Sequence, residues 1–261
     1  MRIDTVITMR LLHVLLSSAA YLLISEGAEI VNGRVAHPHS RPYMAYIQFH
    51  KDIFCGGTLI DSNWVLTAAH CEVPEANPMV ILGAHSRDEN EKEEGRQIFN
   101  VTRSIRHPNY NDRTLRNDIQ LMKLNATAKL GKFVQFLSLP ETFKDLIEGT
   151  VCETAGWGWT EREKFADHLM EVNITVLNRR RCERHLDNQY ITDNMICTSV
   201  GPGGQDTCRG DSGGPLICNG IYRGILSFGR NPCGQKNRAA VYTRLTEEYI
   251  EWIKTKTGAH L

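Results

Sequence analysis

The chain has 261 residues, 41% of them hydrophobic and 23% charged, with 30 basic residues balanced by 30 acidic ones. That length and apolar content suffice for a substantial buried core. Zero net charge excludes the strongly basic character that binding to DNA, RNA or an anionic membrane would need, so function must come from local chemistry.

Behind Arg10 comes an apolar run, Leu11 to Ile24, too short to span a bilayer and followed by Ser25 and Gly27. It reads as a secretory signal peptide over residues 1–27, removed on export. Met9-Arg10 would itself make a conventional start, leaving residues 1–8 as an upstream extension. No later segment is apolar enough to anchor the chain, so no membrane span is expected.

From Ile30 onward the pattern changes to short apolar or alternating runs broken by Gly, Pro, Asn and Asp: Met44–Phe49, Trp64–Thr67, Met79–Leu82, Ile119–Leu124, Val172–Val176, Pro215–Cys218 and Gly224–Phe228. Many closely spaced strands predict an all-β fold, a sandwich or barrels. The acidic run Asp88–Glu94 reads as a solvated loop. A change of character across Leu137–Gly149, with Pro140 and Gly149, marks a linker between halves of similar size, 30–136 and 137–261. Thr246 to Lys256, with Tyr249, Ile250, Trp252 and Ile253 among charged residues, has the period of an amphipathic helix that closes the chain.

Three Asn-x-Ser/Thr sequons, at Asn100, Asn125 and Asn173, are acceptors for N-glycosylation in a secreted chain. The eight cysteines, Cys55, Cys71, Cys152, Cys182, Cys197, Cys208, Cys218 and Cys233, are an even number without zinc-site spacing, so disulfides are their expected use. Eight cysteines allow 105 connectivities, and spacing alone does not choose among them.

Three short stretches carry chemistry. Gly210-Asp211-Ser212-Gly213-Gly214-Pro215 sets a serine in a glycine-rich turn, where backbone N–H groups can converge on one point. Leu66-Thr67-Ala68-Ala69-His70-Cys71 offers a histidine beside a cysteine, and Asn117-Asp118-Ile119-Gln120-Leu121 offers an aspartate at the entrance of an apolar strand. Each alone is weak, since an isolated His is commonly structural and an Asp before a strand commonly makes a turn. Together, in the order His, Asp, Ser, they match a nucleophilic triad.

With TAAHC, NDIQLMKL, AGWG and GDSGGPL the chain from Ile30 to Lys256 resembles the chymotrypsin/trypsin family of serine proteases. The resemblance implies two six-stranded antiparallel β-barrels with a C-terminal α-helix, the active site lying in the inter-barrel cleft. It implies Ser212 as nucleophile, His70 as general base and then acid, Asp118 as the buried partner of the imidazole, and the N–H groups of Gly210 and Ser212 as oxyanion hole. Ser227 matches the family serine that bonds the triad aspartate. The implied disulfides are Cys55–Cys71, Cys152–Cys218, Cys182–Cys197 and Cys208–Cys233, which leave no cysteine for a covalent dimer, so a monomer is expected. Ile30, freed by removal of residues 28–29, would pair with Asp211 to activate the enzyme.

Asp206, six residues before Ser212, falls at the floor of the family's specificity pocket and implies cleavage after Arg or Lys. Thr207, Arg209, Ser227, Phe228, Gly229, Ala240 and Leu115 complete the implied substrate surface. Ala240 stands where trypsins usually carry glycine; its methyl should disfavour Lys, which needs a bridging water, relative to Arg. Arg209 at the rim should favour acidic substrate residues near the scissile bond.

His39-Ser40-Arg41-Pro42-Tyr43-Met44-Ala45, Leu82-Gly83-Ala84-His85 and the dipeptide Ala28-Glu29 are similar to granzymes and mast-cell proteases, the granule-stored branch. Ala84 replaces the acidic ligand of the trypsin calcium loop, so no metal and no cofactor are expected. Without residues 1–29 the chain keeps 28 basic and 27 acidic residues, so retention on anionic proteoglycan would need a local patch such as Arg179, Arg180, Arg181 and Arg184. Protein or peptide substrates and serpin-type inhibitors are the other implied partners. The rival readings are chymase-like specificity and a catalytically dead heparin-binding or antimicrobial homologue.

Overall fold

Strands form where the apolar runs fall because each is short, bounded by turn-forming residues and able to bury at least one face. A computed structural model describes residues 33–50, 53–72, 76–160, 164–201, 203–229 and 232–258. The proposed signal segment, the dipeptide 28–29 and Ile30 lie outside the described residues.

After the short β1 (Arg34–Val35), the first barrel is built from β2 (Met44–His50), β3 (Ile53–Asp61), β4 (Trp64–Thr67), β5 (Met79–Leu82), β6 (Gln97–Arg106) and β7 (Gln120–Leu124). It closes in the order β2-β3-β4-β7-β6-β5, with Ala45 opposite Leu82 where the ends meet. The second barrel uses β8 (Val151–Gly156), β9 (Met170–Leu177), β10 (Met195–Ser199), β11 (Pro215–Cys218), β12 (Ile221–Gly229) and β13 (Ala239–Arg244). Its order is β9-β10-β13-β12-β11-β8, and the β8–β9 pairing closes it; β1 adds to β9. Both barrels are therefore six-stranded and antiparallel. Asn219 and Gly220, with φ of 53° and 74°, make the two-residue turn between β11 and β12 that left-handed backbone requires.

Two helices punctuate the second half. α1 (Arg179–His185) fits the alternative reading of its arginines as a solvated helix face beside Cys182, although seven residues dominated by charge show no amphipathic period. Asn178 caps it by accepting from the Arg180 N–H at 3.0 Å, and Cys182–Cys197 ties it to β10. α2 (Glu247–Thr257) ends at Gly258, whose φ is 68°. Its Tyr249, Ile250 and Ile253 join the same buried cluster as Leu66, Ile119 and Leu121 of the first barrel, so the end of the chain clasps the other half. The remaining disulfides are Cys55–Cys71, Cys152–Cys218 and Cys208–Cys233.

Candidate active site

His70 lies in a single 3-10 turn, Ala69–Cys71, directly after β4, and the Cys71–Cys55 bond anchors that turn to β3. Asp118, fully buried just ahead of β7, accepts hydrogen bonds from the His70 backbone N–H at 2.9 Å and from the Ser227 hydroxyl. Its other contact, 2.7 Å from His70 Nδ1, holds the ring proton on Nδ1 and leaves Nε2 as an acceptor facing the cleft. The Thr243 hydroxyl donates to the Asp118 carbonyl at 2.8 Å, and the Tyr249 hydroxyl to the Asn117 side chain at 2.7 Å. Second-barrel and α2 residues thus fix a first-barrel carboxylate.

Ser212 comes from the loop before β11. Its carbonyl accepts from the Gly56 N–H at 2.7 Å, which ties the loop to β3 across the cleft. Gly210 has φ 98°, and a Cβ there would lie 3.1 Å from both the Phe54 ring and Gly158 Cα, so only glycine fits. His70 and Ser212 line one cavity of about 360 Å³ together with Leu115, Asp206, Thr207, Cys208, Arg209, Leu226, Ser227, Phe228, Gly229 and Cys233. No hydrogen bond joins the Ser212 hydroxyl to His70, a contact that commonly closes only around bound substrate.

Asp206 is 5% exposed, and its carboxylate accepts from the N–H groups of Thr207 and Gly234, both at 2.9 Å. Burial pushes its pKa up to about 6 despite those two bonds. The cavity therefore holds a poorly solvated anion, the electrostatic complement of a cationic side chain. Asp211 points the other way, into the protein. Its carboxylate accepts from Gly158 N–H at 2.7 Å and Cys208 N–H at 2.9 Å, and burial raises it to about 7. A Cβ on Gly156 or Gly158 would lie 2.2 or 2.5 Å from that carboxylate, which explains both glycines of the AGWG stretch.

Ala240 stands behind the cavity wall and does not line the cavity. It pairs with Gly229 across β13 and β12, and its methyl would be 3.7 Å from a Cβ at Gly229. Arg209 is exposed at the rim, and its carbonyl accepts from the Trp159 N–H at 2.7 Å. The loop after Ala84 is organised by an internal ion pair: Glu93 accepts from the N–H groups of His85 and Ser86 at 2.7 and 3.1 Å. Arg96 donates to Glu93 and to the carbonyls of Ser86 and Asp88 at 3.2, 3.3 and 3.1 Å. Among the described residues, the one His/Cys/Asp/Glu group tight enough for an ion is Cys55, His70 and Cys71, whose sulfurs are already in a disulfide.

The arginine patch is thinner than its sequence suggests. Arg179 is engaged by Asp145 and the carbonyls of Thr192 and Met195, and Arg181 by Glu148. Asn100 and Asn125 face each other on the first barrel, the Asn125 side chain accepting from the Asn100 N–H at 3.1 Å, while Asn173 is exposed on β9. Among the described residues no helix is long and apolar enough to cross a membrane.

A family model described as Trypsin matches residues 30–253. The chain belongs to the trypsin family of serine proteases. This trypsin-family chain is 42% identical to granzyme A of Bos taurus over 236 residues, 88% of this chain and 89% of that relative. Against human kallikrein-4 it is 36% identical, covering 95% and 94% of the two chains. The solved structure of neuropsin, a serine protease expressed in the limbic system of mouse brain, superposes with a TM-score of 0.78 at 36% identity, covering 87% of this chain and all of that one (100%).

Sequence reasoning overlooked several residues of this protease's site. Leu226 lines the cavity, Phe54 fills the space over Gly210, and Gly56 holds Ser212. None carries a motif; each acts through a contact between distant segments.

Proposed function

We propose that this trypsin-family protease is a secreted endopeptidase that cleaves after Arg, and less readily after Lys, by an acyl-enzyme mechanism. Ser212 attacks the scissile carbonyl while His70 Nε2 takes its proton and later delivers it to the leaving amine. Asp118 stabilises the imidazolium and keeps Nε2 free to act. The N–H groups of Gly210 and Ser212 receive the developing oxyanion, a contribution of about 3 kcal/mol per donor in such sites. Thr207, Ser227, Phe228, Gly229 and Leu115 contact the substrate beside the Arg209 rim.

The observation that carries the specificity is Asp206, a buried carboxylate in the same cavity as His70 and Ser212. An arginine side chain entering there restores the solvation Asp206 lacks, and its planar fork can bond both oxygens. A chymase-like pocket would gain nothing from a buried anion. Activity would begin when Ile30 becomes a free N-terminus and its amine neutralises Asp211, whose burial makes an unpaired charge costly. Export follows from the N-terminal apolar run and the disulfides; storage in granules, with proteoglycan contacts left to Arg180 and Arg184, extends the granzyme likeness.

The test uses enzyme carrying a free Ile30. Fluorophosphonate should label Ser212, and peptides with Arg just before the scissile bond should be cut faster than those with Lys, Phe or Tyr there. An unlabelled Ser212 would sink the enzyme reading, and dominant cleavage after Phe or Tyr would sink the role of Asp206.

A further inference from the structure

Of the three sequons, Asn173 is set apart by its neighbours. It is exposed in β9 opposite Glu153 of β8, and it lines a groove of about 220 Å³ with Gly33, Arg34, Arg41, Glu153 and Glu171. The walls are polar. Arg41 reaches Glu153 at 2.7 Å and Glu171 at 2.9 Å, and Arg34 reaches Glu171 at 2.7 Å. Such a lining offers both donors and acceptors to sugar hydroxyls. The Asn125 side chain, by contrast, is held by the Asn100 backbone.

The register decides what lies beside the groove. Val35 pairs with Met170 and Arg34 with Glu171, so the chain ahead of Arg34 leaves β1 on the side toward Asn173, and Gly33 already shares the groove with it. Ile30 lies three positions ahead of Gly33. At about 3.3–3.6 Å per residue those three steps reach no more than about 11 Å. The bond before Ile30 is therefore tethered within that distance of the groove, and a branched glycan rooted in the groove would crowd any protease approaching it.

We propose that Asn173 is an occupied N-glycosylation site whose glycan, seated in the groove between β1 and the β8–β9 pair, shields the Glu29–Ile30 bond and slows its cleavage. The proposal rests on the reading that freeing Ile30 activates the enzyme.

The full chain is secreted from glycosylating cells as wild type, Asn173→Gln, Thr175→Ala, which removes the sequon and keeps the asparagine, and Thr175→Ser, which retains it. The mass of the peptide containing Asn173, before and after enzymatic deglycosylation, reports occupancy. The purified proenzymes are then treated with a bacterial glutamyl endopeptidase, and the new Ile30 terminus is timed by N-terminal sequencing. Cleavage within Glu89–Glu94 on the first barrel gives an internal control. We expect Asn173→Gln and Thr175→Ala to release Ile30 several-fold faster than wild type and Thr175→Ser, with unchanged cutting in the acidic loop. An unmodified Asn173 in the secreted wild type, equal release rates, or an acceleration shared by the acidic loop would each overturn the proposal. Release of Ile30 without any gain of activity would overturn the activation reading instead and leave the shield standing.

Discussion

Replacing Asp206 by Asn should separate recognition from stability. The carboxylate is 5% exposed and carries a pKa raised to about 6, so the folded free enzyme pays for ionising it at neutral pH. Because the folded value lies above the unfolded one, this group favours folding fully below about pH 4, and that contribution is lost as pH rises through about 6. The penalty at pH 7 is on the order of 3 kcal/mol, so the Asn variant should unfold no more easily than wild type at that pH, even though its amide can accept from only one of Thr207 and Gly234. Activity should move the opposite way. A bound arginine facing an amide loses its counter-charge, and breaking a buried pair costs about 3–5 kcal/mol, a fall of about 10² to 10⁴ in kcat/KM for Arg substrates. The assay is kcat/KM with a matched pair of peptides bearing Arg or a neutral residue at the cleaved position, beside thermal unfolding of the free enzyme. In wild type the Arg-to-neutral ratio should drop as pH falls through about 6, because steps common to both substrates cancel. An Asn variant that cleaves the Arg peptide within tenfold of wild type would refute the reasoning.

Ala240→Gly should leave the preference for Arg over Lys unchanged, measured with paired peptides, because Ala240 lies behind Gly229 and does not line the cavity; a narrowed preference would show that its methyl acts on the pocket through that wall. Arg209→Gln should erase any preference for acidic residues beside the scissile bond and leave short neutral-flanked substrates unaffected, while loss of both would point to a structural role. Arg96→Gln, which removes a charged donor from Glu93 and the carbonyls of Ser86 and Asp88, should lower stability by about 1–3 kcal/mol in denaturant unfolding, with no recovery on adding calcium. A chain starting one residue ahead of Ile30 should be nearly inactive. In the correctly cut enzyme, pairing with Asp211 raises the amine above its free value of about 8, so the activity it supports should be present below that value and vanish reversibly as pH climbs through the raised one.

Local pattern alone determined a good part of this protein. Runs such as Trp64–Thr67, Met79–Leu82 and Pro215–Cys218 become strands with the expected bounds, because a short, largely buried apolar run between turn-formers has few other solutions. The last helix was legible from its period, whereas α1 was too short and too charged to show one. The family motifs named His70, Asp118 and Ser212, residues from three separate stretches, and only closure of both barrels puts His70 and Ser212 on one cavity with Asp118 buried behind the imidazole. Burial is likewise a tertiary property. Asp206 and Asp211 are identical in the sequence, yet one faces the cleft at about 6 and the other lies inside at about 7, because the elements packed around each carboxylate decide how much water it keeps. The same holds for the arginines beside Cys182. Arg179, Arg180, Arg181 and Arg184 read as a surface patch, and the tertiary structure turns two of them, Arg179 and Arg181, toward Asp145 and Glu148, acids more than thirty residues earlier that no local pattern pairs with them.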